Sequence, residues 1–157
     1  MIVVRCTDAD REALAGIAIN PLDLAEDGTD YLNIRIVKPW GHEKQQYRDD
    51  KLAVWFLYIN AHQKTSLHCH PSKSSVLMIV GGRGILETLD KVWQLSEGDV
   101  IAVEPGAFHR TIALENGLVL WEMESPPHKR DLVRLEDKYG RGQGYERVQP
   151  PGEISAA

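Results

Sequence analysis

The sequence predicts an all-β sandwich or barrel, and three observations carry that prediction. From Tyr31 onward the chain consists of short apolar runs, turn residues separate them at close intervals, and some runs alternate apolar and polar residues with the period of a half-buried strand. "YLNIRIV" sets Leu32, Ile34 and Ile36 against polar partners, whereas "LAVWFLYI" is a continuous buried run. "SVLMIV" meets a turn at "GGRG", after which "GILETL" and "VWQL" flank the tight turn "DK". "SEGD" precedes "VIAV", "EPGA" precedes "FHRTIAL", and the turn "ENG" separates that run from "LVLWEME". The sum is roughly eight strands with short connections, enough for a small closed or double-sheet barrel. Pro126 and Pro127 end the sheet.

A short extension is expected at each end of the barrel. "TDADREALAGIAINP" predicts a helix capped by Thr7, with Asp10 three residues later, Leu14, Ile17 and Ala18 on one face, and a stop at Asn20 and Pro21. "KRDLVRLEDKYGRGQGYE" predicts a helical turn or two around Leu132 and Leu135, stopped by Gly140. A chain of 157 residues holds one core of ordinary size, so the expectation is one domain over 1–157, with the barrel at about 31–125 and a tail at 126–157.

Composition narrows the function classes. With 43% hydrophobic residues, 26% charged residues and a net charge of -5, the chain reads as a soluble globular protein. No basic stripe is present, which argues against DNA or RNA as a partner. The opening apolar run is broken by Arg5 and Asp8, so neither a signal peptide nor a membrane anchor is expected, and the location is taken as cytoplasmic. Cys6 and Cys69 are read as thiols.

Chemistry concentrates in the histidines. In a strand, residues i and i+2 share a face, so His68 and His70 would project together while Cys69 points into the wall. His109, behind the Glu104-Pro105-Gly106 turn, would be a third convergent imidazole. The pair alone reads rather as flanking a surface turn, with His109 a hydrogen-bonded core residue, but the third histidine in its own distinct context turns the reading to a metal. Neutral imidazoles suit a divalent ion such as zinc, iron(II), nickel, cobalt or manganese. His42, His62 and His128 lie in turn-like sequence and read as solvated; Trp40, Trp55, Trp93 and Trp121 read as core.

These residues resemble the cupin superfamily, a jelly-roll barrel also called the double-stranded β-helix. His68, His70 and Gly82 fit its first motif, and Gly98, Gly106 and His109 fit its second. Three stretches, "KPWGHE", "SLHCH" with "VLMIVGG", and "DLVRLEDKYGR", are similar to the cupin domain of type II mannose-6-phosphate isomerases, notably the one fused to mannose-1-phosphate guanylyltransferases. In that family a glutamate ligates the metal where this chain has Ser75. The resemblance therefore implies three neutral ligands, His68, His70 and His109, around an ion that keeps its full charge and an open position.

The expected activity is isomerisation or epimerisation of a small sugar phosphate, with a protein base moving a proton beside a metal-polarised carbonyl. Glu122 and Glu124 share one face of "LWEME"; either could be that base if the face lines the cavity, and both would be solvated otherwise. Lys38 and Arg141 fall within the resembling stretches and would hold the phosphate. A non-catalytic sugar or nucleotide-sugar binding module and a three-histidine iron dioxygenase are the alternatives. A homodimer is expected, with "YLNIRIV" available for strand exchange.

Overall fold

The computed structural model describes residues 1–20, 24, 28–141, 144–145 and 154–156. Its strands, in chain order, are β1 (Ile2–Val4), β2 (Ile34–Lys38), β3 (Gly41–Arg48), β4 (Ala53–Ile59), β5 (Leu67–Cys69), β6 (Ser74–Thr88), β7 (Val92–Ser96), β8 (Val100–Val103), β9 (His109–Ser125), β10 (Val133–Glu136), β11 (Gly144–Tyr145) and β12 (Ile154–Ala156). They join in the order β1-β8-β6-β9-β4-β3-β2-β12, with β7 on β6, and with β5 linking β9 to β10, which in turn pairs with β11. The all-β architecture expected from the alternation is present, arranged as the jelly roll that the resemblance implies.

The two expected turns at "GGRG" and "ENG" do not reverse the chain. Each lies inside one long strand, β6 or β9, and the two strands run antiparallel through most of their length. The register passes from Gly82↔Leu118 to Gly84↔Ala113, so the extra residues form a bulge that bends both strands around the barrel. Turn residues signal a bulge as readily as a hairpin; only pairing across the sheet distinguishes them.

β3 has no counterpart among the runs read from the sequence. Its residues "GHEKQQYR" carry no apolar face, because the inward positions are the buried Glu43 and Gln45. β2 begins at Ile34, leaving Leu32 exposed outside it, while the same alternation carries inward from Ile36 to Lys38. Its outer edge is paired to β12, so the strand exchange expected of "YLNIRIV" would have to displace a strand of the same chain.

The main core fills the barrel with Leu57, Ile59, Leu77, Ile79, Ile101 and Leu120 among others. Trp40 and Trp55 join it, but Trp121 is 43% exposed, because β9 alternates and the tryptophan falls on the outer face between Leu120 and Glu122. A second, smaller cluster of Leu67, Cys69, Phe108 and Val133 lies behind β5. Against it pack Leu14 and Ile17 from the N-terminal segment and Leu135 from the tail.

The N-terminal helix α1 spans Asp8–Ala15 with the expected capping box: Thr7 Oγ1 accepts from Asp10 N, and Asp10 reaches back to Thr7 N. It ends earlier than expected, at Gly16; Pro21 lies outside the described residues. The tail is not helical around Leu132 and Leu135. It forms β10, which pairs antiparallel with β5 and so buries Val133 completely in the second cluster. The open edge of β5 decides the matter, since it offers hydrogen bonds and an apolar partner to any nearby strand.

Candidate metal centre

β5 places His68 on the cavity side and sends Cys69 into the second cluster, and His70, the residue just past its end, returns to the cavity side. His109 starts β9 directly opposite His68 in register. The loop before it turns at Gly106, whose φ of +81° suits glycine and whose N–H donates to His70 O at 2.8 Å, tying the two histidine segments together. Ring centroids are 4.6 Å apart for His68 and His109, 5.0 Å for His68 and His70, and 5.6 Å for His70 and His109.

Each Nδ1 faces a backbone carbonyl: His68 that of Ser66 at 2.8 Å, His70 that of Asp131 at 2.7 Å, and His109 that of Ala107 at 2.9 Å. A carbonyl only accepts, so each Nδ1 carries the proton and each Nε2 presents a lone pair. The coordinating atoms of the three residues lie within 4.8 Å of one another. Burial pushes the His70 and His109 imidazoles below their usual range, helped at His70 by the nearby Lys73 ammonium, so both are held neutral. His70 Nε2 is buried and has no hydrogen-bond partner among the described residues. An orphaned lone pair of this kind beside two more, with every tautomer fixed by a carbonyl, fits a divalent ion that takes nitrogen ligands. The cluster can hold such an ion.

The histidines open into a cavity of about 60 Å³. Glu122 and Glu124 both point into it, which settles the face of "LWEME" as inward. Glu124 accepts from Trp55 Nε1 at 3.0 Å and is paired with the buried Lys73 ammonium. Glu122 is different: its polar neighbour among the described residues is His70 Nε2, at 3.7 Å. Burial, then repulsion from Glu124, pushes its carboxyl up to about 7.

Lys38 lines the same cavity, 3.5 Å from Glu43 Oε1, and Lys129 reaches the same oxygen while lying 4.3 Å over the Trp55 ring. Arg141 also lines it, with its guanidinium gripped by both Asp137 oxygens at 2.8 and 3.0 Å. The structure thus gathers His68, His70, Glu122, Lys38 and Arg141 in one cavity, with His109 closing the histidine cluster. Ser75 does not line it: the side chain is buried on β6 opposite Glu124, and its Oγ has no hydrogen-bond partner among the described residues. Sequence reasoning missed Glu43, Lys129 and Arg134 as cavity residues. Glu43 lies on a strand whose inward residues are polar, and Lys129 and Arg134 on a tail expected to be helical, so none of the three carried a local signal. His42, expected to be solvated in a turn, sits in β3 stacked on Tyr58 at 5.3 Å.

Residues 55–121 match the family model described as the Cupin domain. The fold is a cupin barrel. Similar cupin-fold structures include KdgF from a Halomonas species, at 19% identity and a TM-score of 0.57 over 65% of this chain and 96% of that one. An RmlC-like cupin from Shewanella frigidimarina aligns at 18% identity and a TM-score of 0.57, over 67% of this chain and 95% of the other. A putative sugar phosphate isomerase from Acidithiobacillus ferrooxidans aligns at 15% identity and a TM-score of 0.50, over 58% of this chain and 65% of that one. At these identities the likeness is one of fold. No curated protein matches the sequence. No described helix is long and apolar enough to cross a membrane.

The two thiols of this cupin barrel differ sharply. Cys69 is fully buried, and burial with the nearby Asp131 carboxylate pushes its thiol up to about 12. Cys6 is only partly buried. Iodoacetamide is therefore expected to label at most Cys6 in the native protein at pH 8, with Cys69 modified only after unfolding, as read by peptide mass spectrometry. Native labelling of Cys69 at the rate of a free thiol would contradict the packing behind β5.

Proposed function

We propose that this chain is a metal-dependent isomerase or epimerase acting on a small sugar phosphate. The observation that carries the reading is Glu122, a buried carboxyl 3.7 Å from a histidine of the metal cluster, in a cavity that also presents lysine and arginine. An ion on His68, His70 and His109 would supply Lewis acidity toward a substrate oxygen. Glu122 is the group that takes a proton from the adjacent carbon and returns it, since its carboxyl stands inside the cavity beside the histidine cluster. Lys38 binds the phosphate, and Arg141 does so with its guanidinium held in place by Asp137. Trp40 and Trp55 offer apolar faces to the sugar and keep water out. The putative sugar phosphate isomerase among the similar structures shares the fold on which this reading is built. The reading retains a homodimer in the cytoplasm.

Sugar phosphates should be screened for isomerisation by the metal-loaded protein, with dissolved oxygen followed in parallel. Glu122→Gln is expected to lower turnover by about 10²–10⁴-fold, the usual contribution of a positioned acid-base group, while leaving the metal in place. Turnover within a few-fold of wild type would remove Glu122 from the chemistry. Oxygen consumption would replace the reading by an iron dioxygenase, and ligand binding without turnover by a binding module.

A further inference from the structure

We propose that Asp131, in the tail, is the positioning residue of the histidine cluster, acting on His70. The inference rests on the metal reading of His68, His70 and His109 but not on the isomerase reaction. Asp131 holds the segment around His70 from two directions at once. Its backbone carbonyl accepts from His70 Nδ1 at 2.7 Å, fixing the tautomer and the ring plane. Its carboxylate oxygen Oδ2 accepts from the backbone N–H groups of Ser72 and Lys73, each at 2.9 Å, which fixes the chain immediately after His70. A third tie lies three residues earlier, where His128 O accepts from Lys73 Nζ at 3.1 Å.

Asp131 is buried, 3% exposed, so these bonds form away from competing water and Oδ2 is geometrically committed to two donors. Beyond it, β10 continues along β5 with Arg134 opposite His68. The tail is therefore a wall of the metal centre. The orientation of His70 depends on where Asp131 O sits, and that position is set by the carboxylate's grip on the Ser72–Lys73 backbone. A ligand ring held from behind in this way commonly loses about 10–100-fold in metal affinity when its support is removed.

The test compares Asp131→Ala, Asp131→Ser and Asp131→Asn with wild type in the full chain. Two readouts are taken: cobalt(II) affinity by competition with a chelator, and the ¹⁵N shifts of the His70 ring in metal-free protein. Asparagine keeps one side-chain oxygen that can accept from both amides, so Asp131→Asn is expected to stay within about threefold of wild type. Alanine removes the acceptor and serine cannot span both donors. Both are expected to weaken cobalt binding by about 10–100-fold and to lose the pure Nδ1–H signature of His70. If Asp131→Ala does not fold, Asp131→Ser carries the comparison. Equal affinity in wild type and the alanine or serine variant would overturn the proposal, as would an unchanged His70 tautomer. Equal losses in the asparagine and alanine variants would overturn it in favour of a simple charge effect. Should wild type itself bind no cobalt, the metal reading fails and the ¹⁵N comparison alone decides whether Asp131 positions His70.

Discussion

Gly82→Ala is expected to destabilise the barrel by about 3 kcal/mol, the scale of the severe backbone and packing lesions. Gly82 has a φ of +81°, and a Cβ built there would stand 2.2 Å from Gly117 O and 3.1 Å from Gly117 C. The obstacle is backbone on the facing strand, so no side-chain rotation relieves it. β6 and β9 would have to part where Gly82 pairs with Leu118, which opens the barrel wall beside the buried Leu118. The comparison is Gly98→Ala, whose φ of +92° is as unfavourable but whose Cβ would meet nothing within 4 Å. That variant should lose only the conformational cost, about 1 kcal/mol. Urea unfolding of both proteins checks the prediction: a clearly larger loss at Gly82 is expected, and equal losses would show that the close approach of the two strands is wrong.

The same glycine shows how far the sequence could be read. The alternation of Leu77 and Ile79 on β6, and of Leu118 and Leu120 on β9, was legible because burial and strand period coincide. The bulge joining the pieces into long strands was not, because Gly82 and Gly117 have the same local signature in a bulge as in a turn. β3 was invisible for a functional reason: its inward residues Glu43 and Gln45 are polar. A strand that lines a polar cavity forfeits the apolar pattern by which strands are recognised. In the candidate site, His68 and His70 were legible from spacing and His109 from its turn. Glu122 was visible only as one of a pair with Glu124, since nothing local says which of two same-face carboxylates a lysine will claim. Asp131 left no sequence signal, because its role depends on where the tail returns, and the tail's apolar Leu132 and Leu135 suited a helix until the edge of β5 was available to pair.

The largest functional effect is expected at the histidines themselves. Three neutral imidazoles would supply the ligand set for a divalent ion, so each would carry a large share of the affinity. The lone pairs are already aimed by the carbonyls of Ser66, Asp131 and Ala107, which means that removing one ring discards a pre-oriented ligand. Replacing His68, His70 or His109 by alanine is therefore expected to weaken binding by more than about 100-fold, beyond the effect of losing a supporting residue. The direct measurement is elemental mass spectrometry on the purified protein and the three single variants, each supplemented with zinc, iron(II), nickel, cobalt and manganese in turn and then desalted. Close to one equivalent of one divalent metal in wild type, falling to background in His68→Ala, His70→Ala and His109→Ala, is the result expected; background metal in wild type under every supplement, or full retention in the variants, would contradict the account.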